Sequence, residues 1–136
     1  MASNLRHATL GWKSGLVFEG GAPGGPAVAI DSDGVAGPSP TVTLLLAAAG
    51  CSGVDVVLFL KKMRVELTSF RIDVTGTRRE EDPKRYTAIH FTYQLAGDQL
   101  DETKARRAID LSLGKYCSVI HSLAPDIRVS YDLRLG

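Results

Sequence analysis

Sulfur is scarce in this chain. It has two cysteines, Cys51 and Cys117, and two methionines among 136 residues. With so few thiols, a single dithiol that cycles through one internal disulfide is a simpler expectation than a structural staple. Charge of one sign is missing too. Sixteen Lys and Arg against fifteen Asp and Glu leave a net +1, which favours neither nucleic acid nor an acidic membrane surface as partner. The start, Met1-Ala2-Ser3-Asn4-Leu5-Arg6-His7, lacks the apolar core and cleavage site of a signal peptide, so a reducing, cytoplasmic compartment is expected. The glycine-rich stretch from Gly20 to Pro26 lacks the Gly-Lys-Ser/Thr ending of a phosphate loop and reads as a hairpin tip. Repeats and domain linkers are absent, so residues 1–136 read as one domain.

One long hydrophobic run is present. Thr41 to Leu60 holds a single charged residue, Asp55, and is followed by Lys61, Lys62 and Arg64. Twenty residues just suffice to cross a bilayer. Asp55, Gly50, Ser52 and Gly53 weaken that reading, and a helix apolar all round also suits the buried centre of a soluble protein. The soluble reading, with no membrane partner, is the one adopted.

Around this run the periodicity alternates between strand and helix. Leu10 with Trp12, Leu16 with Phe18, and Ala27 to Ile30 read as three short strands. Ser39-Pro40 opens a helix, with proline where its missing N–H matters least, and the helix runs to about Met63. Glu66 to Thr77 and Thr87 to Leu95 alternate as two strands, joined by the charged turn Arg78 to Arg85. A second helix starts near Asp101-Glu102, with an apolar stripe through Ala105, Ala108, Ile109, Leu113, Tyr116 and Ile120. That spacing sets Cys117 inside the helix. A last strand runs from Ile127 to Leu135. The order βββ-α-ββ-α-β predicts an α+β domain, a mostly antiparallel sheet packed on two long helices.

This order resembles that of the OsmC-like proteins, which include the organic hydroperoxide reductases called Ohr. So do Gly37-Pro38-Ser39-Pro40 leading into a helix with a cysteine eleven residues after Pro40, and Ala49-Gly50-Cys51-Ser52-Gly53 within that helix. The segment from Ser112 to Ser118 supplies the second cysteine. The resemblance spans nearly the whole chain and fits the general OsmC-like branch better than Ohr proper. It implies an intertwined homodimer with active sites at the subunit interface. It also implies a thiol-dependent peroxidase of organic hydroperoxides. Cys51 would be the attacking thiolate and Cys117 the resolving thiol, with no cofactor and an external dithiol, such as a lipoyl group, as reductant.

The family's peroxidatic members activate the first cysteine with an arginine and a glutamate. Here no arginine lies between Arg6 and Arg64, and Pro40-Thr41-Val42-Thr43 has no glutamate. Candidate tuning groups are Lys13, Lys115, Ser52 and Asp55, the last expected to raise the thiol's pKa from one helical turn away. His121, one turn after Cys117, has no third ligand to make a metal site. Gly50 and Gly53 suggest close approach of another element. Two other functions stay open: a non-catalytic binding dimer with inert core cysteines, and a sulfur-transfer protein carrying a persulfide on Cys51.

Overall fold

The computed structural model describes residues 4–136. It divides into two compact units that meet within one helix, the first reaching Leu44 and the second covering Leu45–Gly136. The element order is the one the periodicity predicts.

In the first unit, β1 (Thr9–Ser14), β2 (Val17–Gly21) and β3 (Val28–Asp31) form an antiparallel sheet in the order β1-β2-β3. The loop after β3 is organised by one carboxylate. Asp31 is buried and accepts backbone N–H groups from Asp33 at 2.9 Å, Val35 at 3.3 Å and Ala36 at 3.0 Å. The Ala36 and Asp33 N–H groups hold its pKa below the ordinary carboxylate value. This loop delivers Ser39, whose Oγ accepts from the Val42 N–H at 3.3 Å and caps helix α1 (Pro40–Lys62).

The second unit holds the rest of α1 and a sheet of order β4-β5-β6: β4 (Glu66–Arg78), β5 (Tyr86–Asp98) and β6 (Arg128–Leu135). β4 and β5 pair antiparallel, whereas β6 runs parallel to β5. The helical crossover between them makes the parallel pairing possible, since a parallel neighbour needs a connection long enough to return to the same end of the sheet. Helix α1 ends where Arg64 adopts φ 64°, with Val65 N–H donating to the Leu60 carbonyl and Arg64 N–H to that of Lys61, both at 3.0 Å. The charged turn is a tight tip on which Arg78 and Arg79 donate to the Lys84 and Pro83 carbonyls.

The core of this unit is Val56 and Leu60 of α1, Ile89, Phe91 and Leu95 of β5, and Ile109 of α2 (Glu102–Leu111), all inaccessible to solvent. By length and composition α1 is apolar enough to span a membrane. Its inward face nonetheless carries Ser52, which is bonded to Tyr93 of β5. Gly76 faces the Tyr86 ring so closely that a Cβ there would overlap it.

The second helix departs from the expected pattern. Asp101 caps it by accepting the Lys104 N–H at 2.8 Å, but α2 stops at Leu111. A π-helical turn, Ser112–Tyr116, follows, and then the short α3 (Ser118–His121). Cys117 is therefore not inside a helix: it sits between the two with φ −71°, ψ 100°. The wider turn shifts the phase of the stripe. Ser112 and Cys117 point inward, and Tyr116 lies 47% exposed.

Replacing Asp31 with Asn should destabilise the protein and flatten its acid transition. A carboxylate whose pKa is depressed in the folded state stabilises above its unfolded pKa, near 3.8, and that stability is lost as pH falls through the folded value. Urea unfolding from neutral pH down to about pH 3 measures this. Equal acid slopes in both proteins would refute the role of Asp31.

Candidate functional site

The α1 segment Gly50-Cys51-Ser52-Gly53 and the π-turn segment Ser112–Cys117 come together in the second unit. Both cysteines are free thiols, Cys51 half-buried and Cys117 fully buried. The contacts of Ser112 with Ser52 and of the Cys117 Sγ with the Ala48 carbonyl set the two thiol-bearing segments side by side, and the Cys51 thiol adds to the rise that burial causes in the Cys117 pKa. Burial is the main reason the Cys117 pKa is pushed up to about 11. The Ile120 N–H opposes the shift, while Cys51 and the Asp55 charge add to it. The Cys117 Sγ also lies 3.9 Å from the Ala48 carbonyl oxygen. Cys117 thus keeps its proton at neutral pH.

Beside the thiols runs a buried chain of hydroxyl groups. Ser52 Oγ lies 2.6 Å from the Tyr93 hydroxyl and 2.9 Å from Ser112 Oγ, which is 2.9 Å from Asp55 Oδ2. Ser112 has one hydroxyl proton and two oxygen neighbours, and an ionised carboxylate only accepts. Ser112 Oγ is oriented to donate to either Ser52 Oγ or Asp55 Oδ2 and has one proton to give, while the Ser52 and Tyr93 hydroxyls share the bond between them. Burial pushes the Tyr93 phenol well above its usual pKa, which keeps it a donor. Among the described residues no buried side-chain polar atom lacks a partner.

Of the four tuning candidates, the structure brings Ser52 and Asp55 into this cluster. The Lys115 ammonium lies over the Tyr116 ring, 5.2 Å from its centroid, and Lys13 is in the first unit, 3.6 Å from Glu19. The groups acting on Cys117 include no cation. Ser112 and Tyr93 were not singled out from the sequence. Ser112 sits at helical spacing from Ala108 and Ile109, a polar residue on an apolar stripe, and that is the signal that would have found it.

His121 Nε2 lies 3.1 Å from the Leu113 carbonyl oxygen, and no group of three or more His, Cys, Asp or Glu among the described residues is arranged to hold a metal ion. Gly53 faces Ile72 of β4, whose side chain would lie 3.4 Å from an added Cβ. Gly50 instead opens onto a groove of about 530 Å³ between α1 and β4, lined by Leu46, Val54, Leu58, Phe70 and Ile72.

An α+β chain carrying a buried dithiol is the class that fold and site define. The family model for OsmC-like protein matches residues 31–132, and this chain belongs to that family. Protein YhfA of Escherichia coli is 36% identical over 125 residues, covering 91% of this chain and 93% of its own length. A hypothetical protein of Aquifex aeolicus of known crystal structure superposes with a TM-score of 0.83 at 30% identity, covering 98% of each chain. The organic hydroperoxide resistance protein OhrB of Bacillus subtilis shares the fold, with a TM-score of 0.64 at 18% identity over 98% of this chain and 100% of its own.

The two thiols should label unequally. At about pH 8, iodoacetamide should modify Cys51 in the native protein and spare Cys117. Cys117 should react after denaturation, or in the native state as pH approaches about 11. Peptide mapping reads the result, and equal labelling at neutral pH would contradict the burial of Cys117.

Proposed function

We propose that the chain is a cytoplasmic, soluble, single-domain thiol peroxidase that reduces organic hydroperoxides through a two-cysteine cycle. The observation that carries this reading is the pair itself: two thiols on adjacent segments, one half-buried and one fully buried with a raised pKa. Cys51 is the more accessible of the two thiols, with Cys117 as S–H donor beside it. The Cys51 thiolate attacks the terminal peroxide oxygen; an S–O bond forms, the O–O bond breaks and an alcohol leaves. Cys117 then forms the S–S bond as the S–O bond breaks, and its proton leaves with the hydroxide as water. An external dithiol restores both thiols.

The wild type should turn over an organic hydroperoxide with a dithiol reductant, and Cys51→Ser should fall to background. Cys117→Ser should complete one turnover and accumulate a sulfenic acid that a dimedone probe traps. Full turnover by Cys51→Ser would end this reading. The second reading, a non-catalytic binding dimer with inert thiols, draws on the absence of a cation among the groups acting on Cys117. Two unmodified thiols after a hydroperoxide challenge would favour it.

The working unit is a homodimer, as is typical of OsmC and Ohr proteins. Val54 at 60%, Leu46 and Leu58 at 53% and Val57 at 43% remain exposed along one stripe of α1. A second apolar stripe on a helix already buried on its first calls for a partner. Sedimentation velocity should show a dimer for the wild type and a single chain for Val54→Asp. A wild type that sediments as a single chain would refute the assembly.

A further inference from the structure

Ser112 bonds to the segments that carry both cysteines. Its Oγ lies 2.9 Å from both Ser52 Oγ and Asp55 Oδ2, the residues one and four places after Cys51 on α1. Its carbonyl accepts the Cys117 N–H at 2.7 Å, the bond that closes the π-helical turn. Both Ser112 and Ser52 are inaccessible to solvent, so their hydroxyls have only each other, Asp55 and Tyr93 as partners. An apolar contact at this place would tolerate a slip of the second helical segment. A one-residue slip turns every side chain by about 100° round the helix axis. It would point Cys117 away from Cys51 and leave two buried oxygens unbonded.

We propose that Ser112, locked to Ser52 and Asp55, is the positioning residue of the dithiol, holding the Cys117 segment in register against the Cys51 segment of α1. The inference rests on the two-cysteine reading above and adds what replaces the family's arginine–glutamate pair as the organiser of the site. The groups that face Cys117 are Cys51 and Asp55 from α1 and the Tyr93 phenol from β5. On its own segment, Lys115 is turned to the Tyr116 ring and His121 to the Leu113 carbonyl. Every charge that faces Cys117 is therefore negative or absent. This opposes a second thiolate but leaves the resolving step unhindered, because there the Cys117 proton departs in the water formed from the sulfenic hydroxyl.

The test is the disulfide equilibrium of the full-length protein in glutathione buffers of graded redox ratio, followed by intact mass, together with the pH dependence of Cys117 alkylation. Ser112→Ala should lower the effective concentration of the thiol pair by about ten-fold or more. Ser112→Thr, which keeps the hydroxyl, should recover most of that loss. Asp55→Asn keeps the shape and a partner for Ser112, and it should move Cys117 alkylation to lower pH. An effective concentration within about two-fold of wild type in Ser112→Ala would overturn the proposal. Should Ser112→Ala fail to fold, the same equilibrium in Ser52→Ala, which removes one of the two partners of Ser112, decides by the same criterion. No hydroperoxide enters this measurement, so the outcomes separate cleanly. A chain inactive on peroxide that shows these shifts keeps the positioning role, and an active one that lacks them keeps the peroxidase.

Discussion

The site depends on a buried serine that must find hydrogen-bond partners in the absence of water. Ser112 meets this requirement only when the second helical segment sits in one register against α1, with Ser52 and Asp55 in reach. A lost hydrogen bond in the interior costs more than an ordinary one contributes, so the penalty for other registers is larger than the gain in this one. The π-helical turn is the backbone's way of meeting the same demand. Ser112 is already on the inward face of α2, and the extra residue of the turn brings Cys117 inward after it, where a regular helix would have turned Tyr116 in.

Helix α1 carries a second constraint. Its Leu45, Ala48, Ser52, Val56 and Leu60 positions are buried within the chain, while Leu46, Val54, Val57 and Leu58 are exposed. The helix is apolar on two faces because it serves two surfaces, the sheet of its own chain and the open groove. Both glycines line the groove, Gly53 where Ile72 of β4 comes close and Gly50 where nothing does. The dithiol lies between the two surfaces, close to the groove without lining it.

Electrostatics around the thiols works by withholding charge. Burial and the Asp55 carboxylate both oppose ionisation of Cys117, and the groups acting on it include no cation. Two chemically identical side chains thereby differ in their surroundings, Cys51 half-buried and Cys117 fully buried with a raised pKa. This difference supports the proposed roles of Cys51 as attacking and Cys117 as resolving thiol.

Much of the fold was legible in the sequence. The alternation of β4 and β5, the Ser39-Pro40 start of α1 and the Asp101 cap of α2 are local patterns, set by side-chain period and capping chemistry within a few residues. The sequence names Cys51, Cys117, Ser52 and Asp55 as candidates, but whether the two thiols meet depends on the fold. The break at Cys117 and the parallel pairing of β6 were not legible. Nor were Ser112 and Tyr93, which read as an ordinary small residue and a strand aromatic. The reason is physical. The local sequence determined which segments become helix and strand, because capping and periodicity act over one or two turns. Only the tertiary structure decided which polar side chains lost their water, and that loss, imposed by residues 40 to 60 positions away in the chain, made a serine on an apolar stripe into the lock of the site.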